Sequence, residues 1–470
     1  MRFTITIVLI LVLSALGLTY EIAAGRVLAP FFGTSLLTWT AVIATVLAGF
    51  SLGNALGGFV AERPRARAVA NVRAALVATA VTMALSPTLL GLLHAAGARG
   101  TGGMLLTVVL TFFPASVFVS IPAPFLAKVA IEARPGREGS SLGIVLAAGS
   151  LGAIVGAVLA GFVTLPLIGS VATFAGCGVT ALICLPLVRG GDAATPPVQP
   201  GVVLSAGAFL AVAALAGQPA CQYESGLSCL HVTRDAGQIR LHSDRTIQAA
   251  EPAGGGEALE LPYTRWMWQR LDRDLGPAPD VLFVGGGGYT LPTALLASRP
   301  EARATTVEID PLVTRVVEAH LPQAAAMIGA EAGGRLTLIH ADGRIFLNET
   351  DRRFDAAVMD AFSSSSVPAH LVTRESFARL REIVSGPVYV NLIDRPDGPL
   401  ARGTQAILAE LYPHVAAIEG PVNSVGRANV LLAASEAPLP PLDALPEDFG
   451  PVRIGDARAF TDDRGWFGHR

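Results

Sequence analysis

Up to residue 217 apolar positions follow one another with few interruptions, whereas from residue 234 onward charges become frequent and apolar positions contract into short runs. Crossing a bilayer takes about 20 apolar residues. The first part holds seven such stretches, at 3–20, 36–60, 68–97, 104–130, 141–165, 168–188 and 201–217. The stretch after Arg2 is too long for a signal peptide and lacks a small-residue cleavage site followed by polar sequence, so it reads as a span. Pro114, Pro122 and Pro124 predict a kink or a broken helix in the fourth stretch. Gly149, Gly152, Gly156 and Gly161 in the fifth give either a close helix-packing seam or a span that merely tolerates glycine. Glu21 and Arg26, at the end of the first stretch, are costly in lipid unless they pair or face a polar cavity.

The pattern changes after the Gly/Pro-rich linker 189–201 and the segment 217–220. Residues 229–243 read as a β-hairpin around Asp235 and Gly237, and 263–275 as a helix with an aromatic face. Strand and helix patterns then alternate through 280–394, which predicts a doubly wound, mostly parallel sheet. The expected fold is therefore a multi-span α-helical membrane domain, 1–217, a β-rich subdomain, 218–262, and an α/β Rossmann-like domain, 263–470.

Composition agrees with a membrane protein: 51% of the 470 residues are hydrophobic and 15% charged, with a mean hydropathy of +0.53. A net charge of −3 with no long basic patch gives no reason to expect a nucleic-acid partner. In a seven-span chain the arginines of the loops put the amino terminus in the cytoplasm and the C-terminal half outside. One miscounted span reverses the latter, so the side of the soluble half stays open. Cys177 and Cys184 read as packing residues, while Cys221 and Cys229 are either a short disulfide or free thiols. No second Cys or His pair at ligand spacing supports a zinc site.

The stretch 281–292, VLFVGGGGYTLP, drives an apolar run into four glycines. With no Cβ, Gly285, Gly286 and Gly287 let the backbone approach a ligand closely. Glu308, at the end of the next strand pattern, is placed for the two hydroxyls of a ribose, and Asp342, after the third, for an adenine amino group. Thr290 stands where a dinucleotide loop has its third glycine, so the pattern lies nearer to S-adenosylmethionine-dependent enzymes.

These residues resemble the polyamine aminopropyltransferases, the spermidine synthase family, in a membrane-fused form. The resemblance covers most of 221–470 and more loosely 20–35 and 152–169. SDRTIQ (243–248) resembles the hairpin motif that brings a Gln to the sulfonium nucleoside, which nominates Gln248. YTRWM (263–267) resembles the Tyr-His-Glu segment, which makes Tyr263 and Arg265 acceptor-side residues; 358–377 resembles the active-site loop, with Asp360 as the proton acceptor and Ser363 as a further acceptor-side position. FTDD (460–463) resembles the terminal motif. The implied chemistry is transfer of a 3-aminopropyl group from decarboxylated S-adenosylmethionine to an amine, releasing methylthioadenosine, with the nucleoside as co-substrate and no permanently bound cofactor or metal. Three acids of the family pattern are missing: Gly288, Arg265 and Ser363 stand in their places. A desolvated polyamine needs carboxylate partners, which opens the acceptor question. Intact S-adenosylmethionine as donor, with Arg265 binding its carboxylate, gives aminocarboxypropyl transfer or a lyase. Methyl transfer on the same core and a non-enzymatic transporter or sensor compete with both. The expected partners are a small-molecule substrate and the lipid bilayer, with a homo-oligomer left open, and the expected location is a bacterial-type inner or cell membrane.

Overall fold

The long apolar runs become helices because their backbone groups satisfy one another within the segment. They are α1 Phe3–Phe32, α2 Leu36–Ala61, α3 Arg65–Ala95, α4 Gly100–Ser120, α5 Pro122–Glu132, α6 Glu138–Leu159, α7 Leu165–Cys184 and α8 Pro200–Leu215, followed by the two-residue strand β1 Tyr223–Glu224. The computed structural model describes residues 2–32, 36–189, 198–216, 221–225, 227–244, 246–254, 259–329, 333–361, 367–395, 397–423 and 426–464. The chain divides into two units, Met1–Gly226 and Leu227–Arg470.

In the first unit five helical stretches of the described residues are long and apolar enough to cross a membrane by length and composition: Phe3–Phe32, Leu37–Ala61, Arg65–Ala95, Gly100–Glu132 and Glu138–Leu187. Pro200–Leu215 is apolar but shorter. The fourth stretch is broken between α4 and α5, where Pro122 and Pro124 follow, in line with the sequence expectation. The fifth, 50 residues long, is interrupted by a wider turn at Ala160–Thr164 and by Gly169 at φ 75°. The Glu224 carboxylate accepts from the Ser170 N–H and hydroxyl there, at 3.0 and 3.1 Å. Arg26 Nε lies 3.9 Å from the same carboxylate, so this cation has an anionic neighbour within its unit.

Polarity in this unit is turned inside out. Phe59, Leu146, Phe162 and Phe209 are exposed, while Tyr20, Thr79, Ser86 and Thr107 are buried. The Ser86 hydroxyl donates to Thr82 O at 2.7 Å, which leaves the Tyr20 hydroxyl as the donor to Ser86 Oγ at 2.7 Å. Of the four glycines singled out by sequence, two make a seam. A Cβ on Gly152 would stand 2.2 Å from Leu11 O and one on Gly156 2.1 Å from Ala15 O, whereas Gly161 faces open space. Because those obstacles are backbone atoms of α1, Gly156→Leu is expected to force α1 and α6 apart. Overpacking of this kind costs about 1–3 kcal/mol, so the thermal midpoint in detergent should fall clearly for Gly156→Leu and stay put for Gly161→Leu. Cys177 and Cys184 are buried thiols, and Cys221 and Cys229 are each disulfide-bonded.

The second unit begins with β2 Cys229–Asp235, β3 Gln238–Ser243 and β4 Thr246–Pro252 in antiparallel register. Asp235 pairs with Gln238, so the β2–β3 turn is the two residues Ala236 and Gly237, at φ 49° and 77°, the left-handed pair that a tight hairpin requires. The expected hairpin is thus extended by a third strand, β4, which carries Gln248. After α9 Pro262–Asp274 come β5 Asp280–Val284, α10 Thr290–Ser298, β6 Arg303–Glu308, α11 Pro311–His320, α12 Pro322–Gly329, β7 Leu336–His340, α13 Gly343–Glu349, β8 Ala356–Met359, α14 Arg374–Ile383, β9 Val388–Asp394, α15 Pro399–Leu411, β10 His414–Glu419, β11 Ala428–Ser435 and β12 Gly450–Pro451. The sheet order is β12-β10-β11-β9-β8-β5-β6-β7. β7, β6, β5, β8 and β9 are parallel, and β11 enters antiparallel against β9. This is a Rossmann-like doubly wound sheet with helices supplied by the crossovers. Val281 to Val284 on β5 are all buried, as a strand covered on both faces should be. The chain leaves β5 toward β6 and β7, then returns to β8 on the other side of β5. The carboxyl ends of β5 and β8 therefore flank the switch point where such sheets bind ligands.

Candidate active site

The glycine turn and Asp360 meet at that switch point. Gly285 sits at φ 101°, donates its N–H to Val307 O at 2.9 Å, and would place a Cβ 2.2 Å from Asp360 O. Only a residue without a side chain lets the ends of β5 and β8 come this close. The Gly286 N–H donates to Glu308 Oε2 at 2.8 Å, and the Asp310 N–H to Glu308 Oε1 at 2.9 Å. Glu308 is buried, and desolvation pushes its carboxyl above the usual range despite these two donors. Gly287, at φ 51°, faces Gln248 O of β4, 3.5 Å from where its Cβ would be.

Asp360 follows β8 and is half-buried. Its Oδ1 accepts from Asn391 Nδ2 at 2.8 Å and its Oδ2 from the Tyr263 hydroxyl at 3.1 Å. Burial pushes this carboxyl up to about 6, with the Asn391 and Tyr263 hydrogen bonds pulling the other way. Among the described residues it forms no ion pair. Burial and the neighbouring Asp360 charge raise the Tyr263 phenol, which therefore stays protonated as a donor.

Asp342 ends β7's connection to α13 and caps that helix, with Oδ1 accepting from the Arg344 and Ile345 N–H groups at 2.8 and 3.2 Å. Its Oδ2 is 2.9 Å from His370 Nε2. Arg344 in turn reaches His370 O, Thr373 Oγ1 and Asp462 Oδ2 at 3.2, 3.0 and 2.8 Å, and Asp462 Oδ1 accepts from Thr373 at 2.8 Å. Asp462 of the terminal motif and Arg344 thus tie His370 and Thr373 to α13.

The structure gathers Gly285, Gly286, Gly287, Gln248, Glu308, Asp342, Tyr263 and Asp360 around the carboxyl ends of β5, β6, β7 and β8. Arg265 is not among them: it is exposed and donates to Leu259 O at 2.7 Å. Ser363 lies outside the described residues. Gly288 has no room for any substituent, since its Cβ would fall 2.0 Å from that of Ala249 on β4. Sequence reasoning passed over Asn391, Asn429, His370 and Tyr289. Two of these carried a signal, a lone amide inside an apolar strand run: VYVNLID and ANVLLAAS. Tyr289 stands at φ 57°, with its hydroxyl 2.6 Å from Thr314 Oγ1, which is 2.9 Å from His340 Nε2, and its ring fills the space that a Cβ on Gly286 would need.

No family model matches the chain. The polyamine aminopropyltransferase of Vibrio vulnificus (strain CMCP6) is 29% identical over 130 residues, 27% of this chain and 40% of that protein. The polyamine aminopropyltransferase of Pyrobaculum calidifontis (strain DSM 21063 / JCM 11548 / VA1) is 36% identical over 112 residues, 23% of this chain and 38% of that protein. The chain thus spans 40% and 38% of the length of these curated relatives. Among solved structures, a probable spermidine synthase from Corynebacterium glutamicum superposes with a TM-score of 0.41 at 21% identity, over 47% of this chain and 81% of that one.

Proposed function

We propose, on the premise that the C-terminal half of this chain is spermidine synthase-like, that it is a membrane-anchored alkyl transferase that uses decarboxylated or intact S-adenosylmethionine and releases methylthioadenosine. The observation that carries this reading is Asp360: a half-buried carboxyl raised to about 6, held by two neutral donors beside the glycine turn. The acceptor nitrogen lone pair attacks the methylene carbon next to the sulfonium, the carbon–sulfur bond breaks, and its electron pair returns to sulfur as methylthioadenosine leaves. The proton shed by the amine goes to Asp360, whose affinity near neutrality suits a general base. Gln248, Gly285, Gly286, Gly287, Glu308 and Asp342 would hold the nucleoside, with the Glu308 carboxylate turned to the ribose and Asp342 to the adenine. Tyr263 would orient Asp360 and the acceptor, and Ser363 keeps its proposed place on the acceptor side.

The acceptor departs from a polyamine. Gly288 cannot carry an acid because Ala249 fills its space, and the Arg265 guanidinium is turned onto a backbone carbonyl. Fewer anions are left to hold a second ammonium, which favours a small monoamine or, with intact donor, elimination without an acceptor. The exposed apolar side chains of the first unit, Phe59, Leu146, Phe162 and Phe209 among them, fit a bilayer around it, since a protein in water rarely exposes so many large apolar side chains.

Incubating the purified full chain with either donor, alone, with putrescine or with a small monoamine, separates the readings. Methylthioadenosine is expected from at least one donor. Formation only from decarboxylated donor plus amine marks transfer, formation from intact donor alone marks elimination, and S-adenosylhomocysteine would replace this proposal with methyl transfer. The absence of both turnover and donor binding would overturn the enzyme reading altogether.

A further inference from the structure

We infer that Asn429 is a positioning residue for Asp360, acting through the Asn391 amide. The inference rests on the reading of Asp360 as the group that takes the acceptor proton. Asn391 lies on β9 and Asn429 on the antiparallel neighbour β11. Asn391 is registered opposite Leu431, so Asn429, two residues away, shares its face of the sheet. Asn429 Nδ2 donates to Asn391 Oδ1 at 2.9 Å, and Asn391 Nδ2 donates to Asp360 Oδ1 at 2.8 Å.

The two ends of an amide have nearly the same shape but opposite polarity. Turned one way, Asn391 gives Asp360 a donor; turned the other way, it sets a carbonyl oxygen against a carboxylate. Asn391 is buried, so water offers little help in choosing between the two. The N–H of Asn429 makes the choice by engaging the carbonyl end, which leaves only the NH2 end for Asp360. Among the described residues, the other side chain that hydrogen-bonds this carboxylate is Tyr263 from α9, through its hydroxyl, and the turn at Gly285 meets Asp360 through backbone. With no cation at hand among the described residues, the Asn391 amide and the Tyr263 hydroxyl are what offset the burial of Asp360.

The test reads Asp360 through folding, so it does not depend on turnover. A carboxyl raised to about 6 in the folded chain binds its proton before the unfolded chain does. Its stabilising contribution is therefore present below the ordinary Asp value of about 4 and is lost as pH rises through about 6. The difference in thermal midpoint between wild type and Asp360→Asn across pH should trace this window. Asn429→Leu, which removes the donor without adding charge, and Asn429→Asp, which pulls the Asn391 NH2 away, should each extend the window upward by about one pH unit, a tenfold change in proton affinity. Asn429→Ser, which keeps a donor, should leave it near the wild-type position. A loss of midpoint equal at every pH, with the window unmoved, would show that Asn429 only packs the sheet and would overturn the inference. The reading of Asp360 as the base fails separately, if Asp360→Asn turns over donor like wild type while the window still moves with Asn429.

Discussion

Asp360→Asn should lower methylthioadenosine release by about 10²–10⁴-fold, the usual worth of a positioned general base. The substitution keeps the shape of the side chain but swaps an acceptor for a donor. Asp360 now accepts on both oxygens, from Tyr263 and Asn391, so one of those donors would lose its partner, at a cost of about 1–3 kcal/mol. Donor binding should change far less than turnover, because the glycine turn and Glu308 are untouched. In the wild type the ionised carboxylate is the active form. The kcat/KM should therefore fall as pH drops below about 6 and level off above it. A pH profile and a measured donor Kd check both halves. An Asp360→Asn protein that keeps turnover within a few-fold of wild type would remove Asp360 from the chemistry.

Much of the second unit is legible because its strands and helices announce themselves by period and by punctuation. The apolar run VLFV leads into the glycines, an acidic residue closes β6 and Asp360 directly follows the apolar β8, and a parallel sheet delivers such strand ends to one edge. What the pattern leaves out is what proximity alone reveals. Nothing local in ANVLLAAS says that Asn429 reaches Asn391, since their meeting depends on β11 entering antiparallel beside β9. Likewise His370 and Asp342 are 28 positions apart, and only the fold of the loop sets their side chains 2.9 Å from each other. Helices α12 and α13 are short and follow weak periods, so they hide among loop-like sequence. In the first unit hydropathy reveals the apolar helices but not which glycines pack, because Gly152 and Gly161 look alike in sequence and only one meets a neighbouring backbone.

The departures from the family pattern also change meaning with geometry. A missing acid at Gly288 reads in sequence as a single lost contact. In the fold it is a displaced strand contact, because Ala249 of β4 occupies the space that a side chain there would need. Restoring the acid alone would push β4 away from the glycine turn, and with it Gln248, whose carbonyl lies over Gly287. On the proposed reading, packing as well as charge therefore bears on the acceptor side, since an acid at Gly288 would need β4 to move.

Gly285→Ala should disable the site while leaving most of the fold in place. At φ 101° any Cβ strains the backbone, at roughly 1–2 kcal/mol for a left-handed residue. The larger effect is steric, since the new methyl would stand 2.2 Å from Asp360 O and 2.9 Å from Ala361 N. Those are backbone atoms and cannot rotate aside, so the ends of β5 and β8 must separate. The hydrogen bond from Asp360 N to Val284 O, 2.9 Å long, ties those same ends together and would stretch. A displacement of about 1 Å at a reacting group costs on the order of 10²-fold in rate, and donor affinity should fall with it because Gly286 and Glu308 shift together. The thermal midpoint should drop by a few degrees, at about 2–4 °C per kcal/mol for a chain of this kind. Gly276→Ala in the same unit, where a Cβ meets nothing within 4 Å, is the matched control and should behave as wild type. Calorimetric donor titration and a melting curve on the two variants decide the matter: if Gly285→Ala binds and turns over donor as well as Gly276→Ala does, the close contact between the glycine turn and Asp360 is not what organises this site.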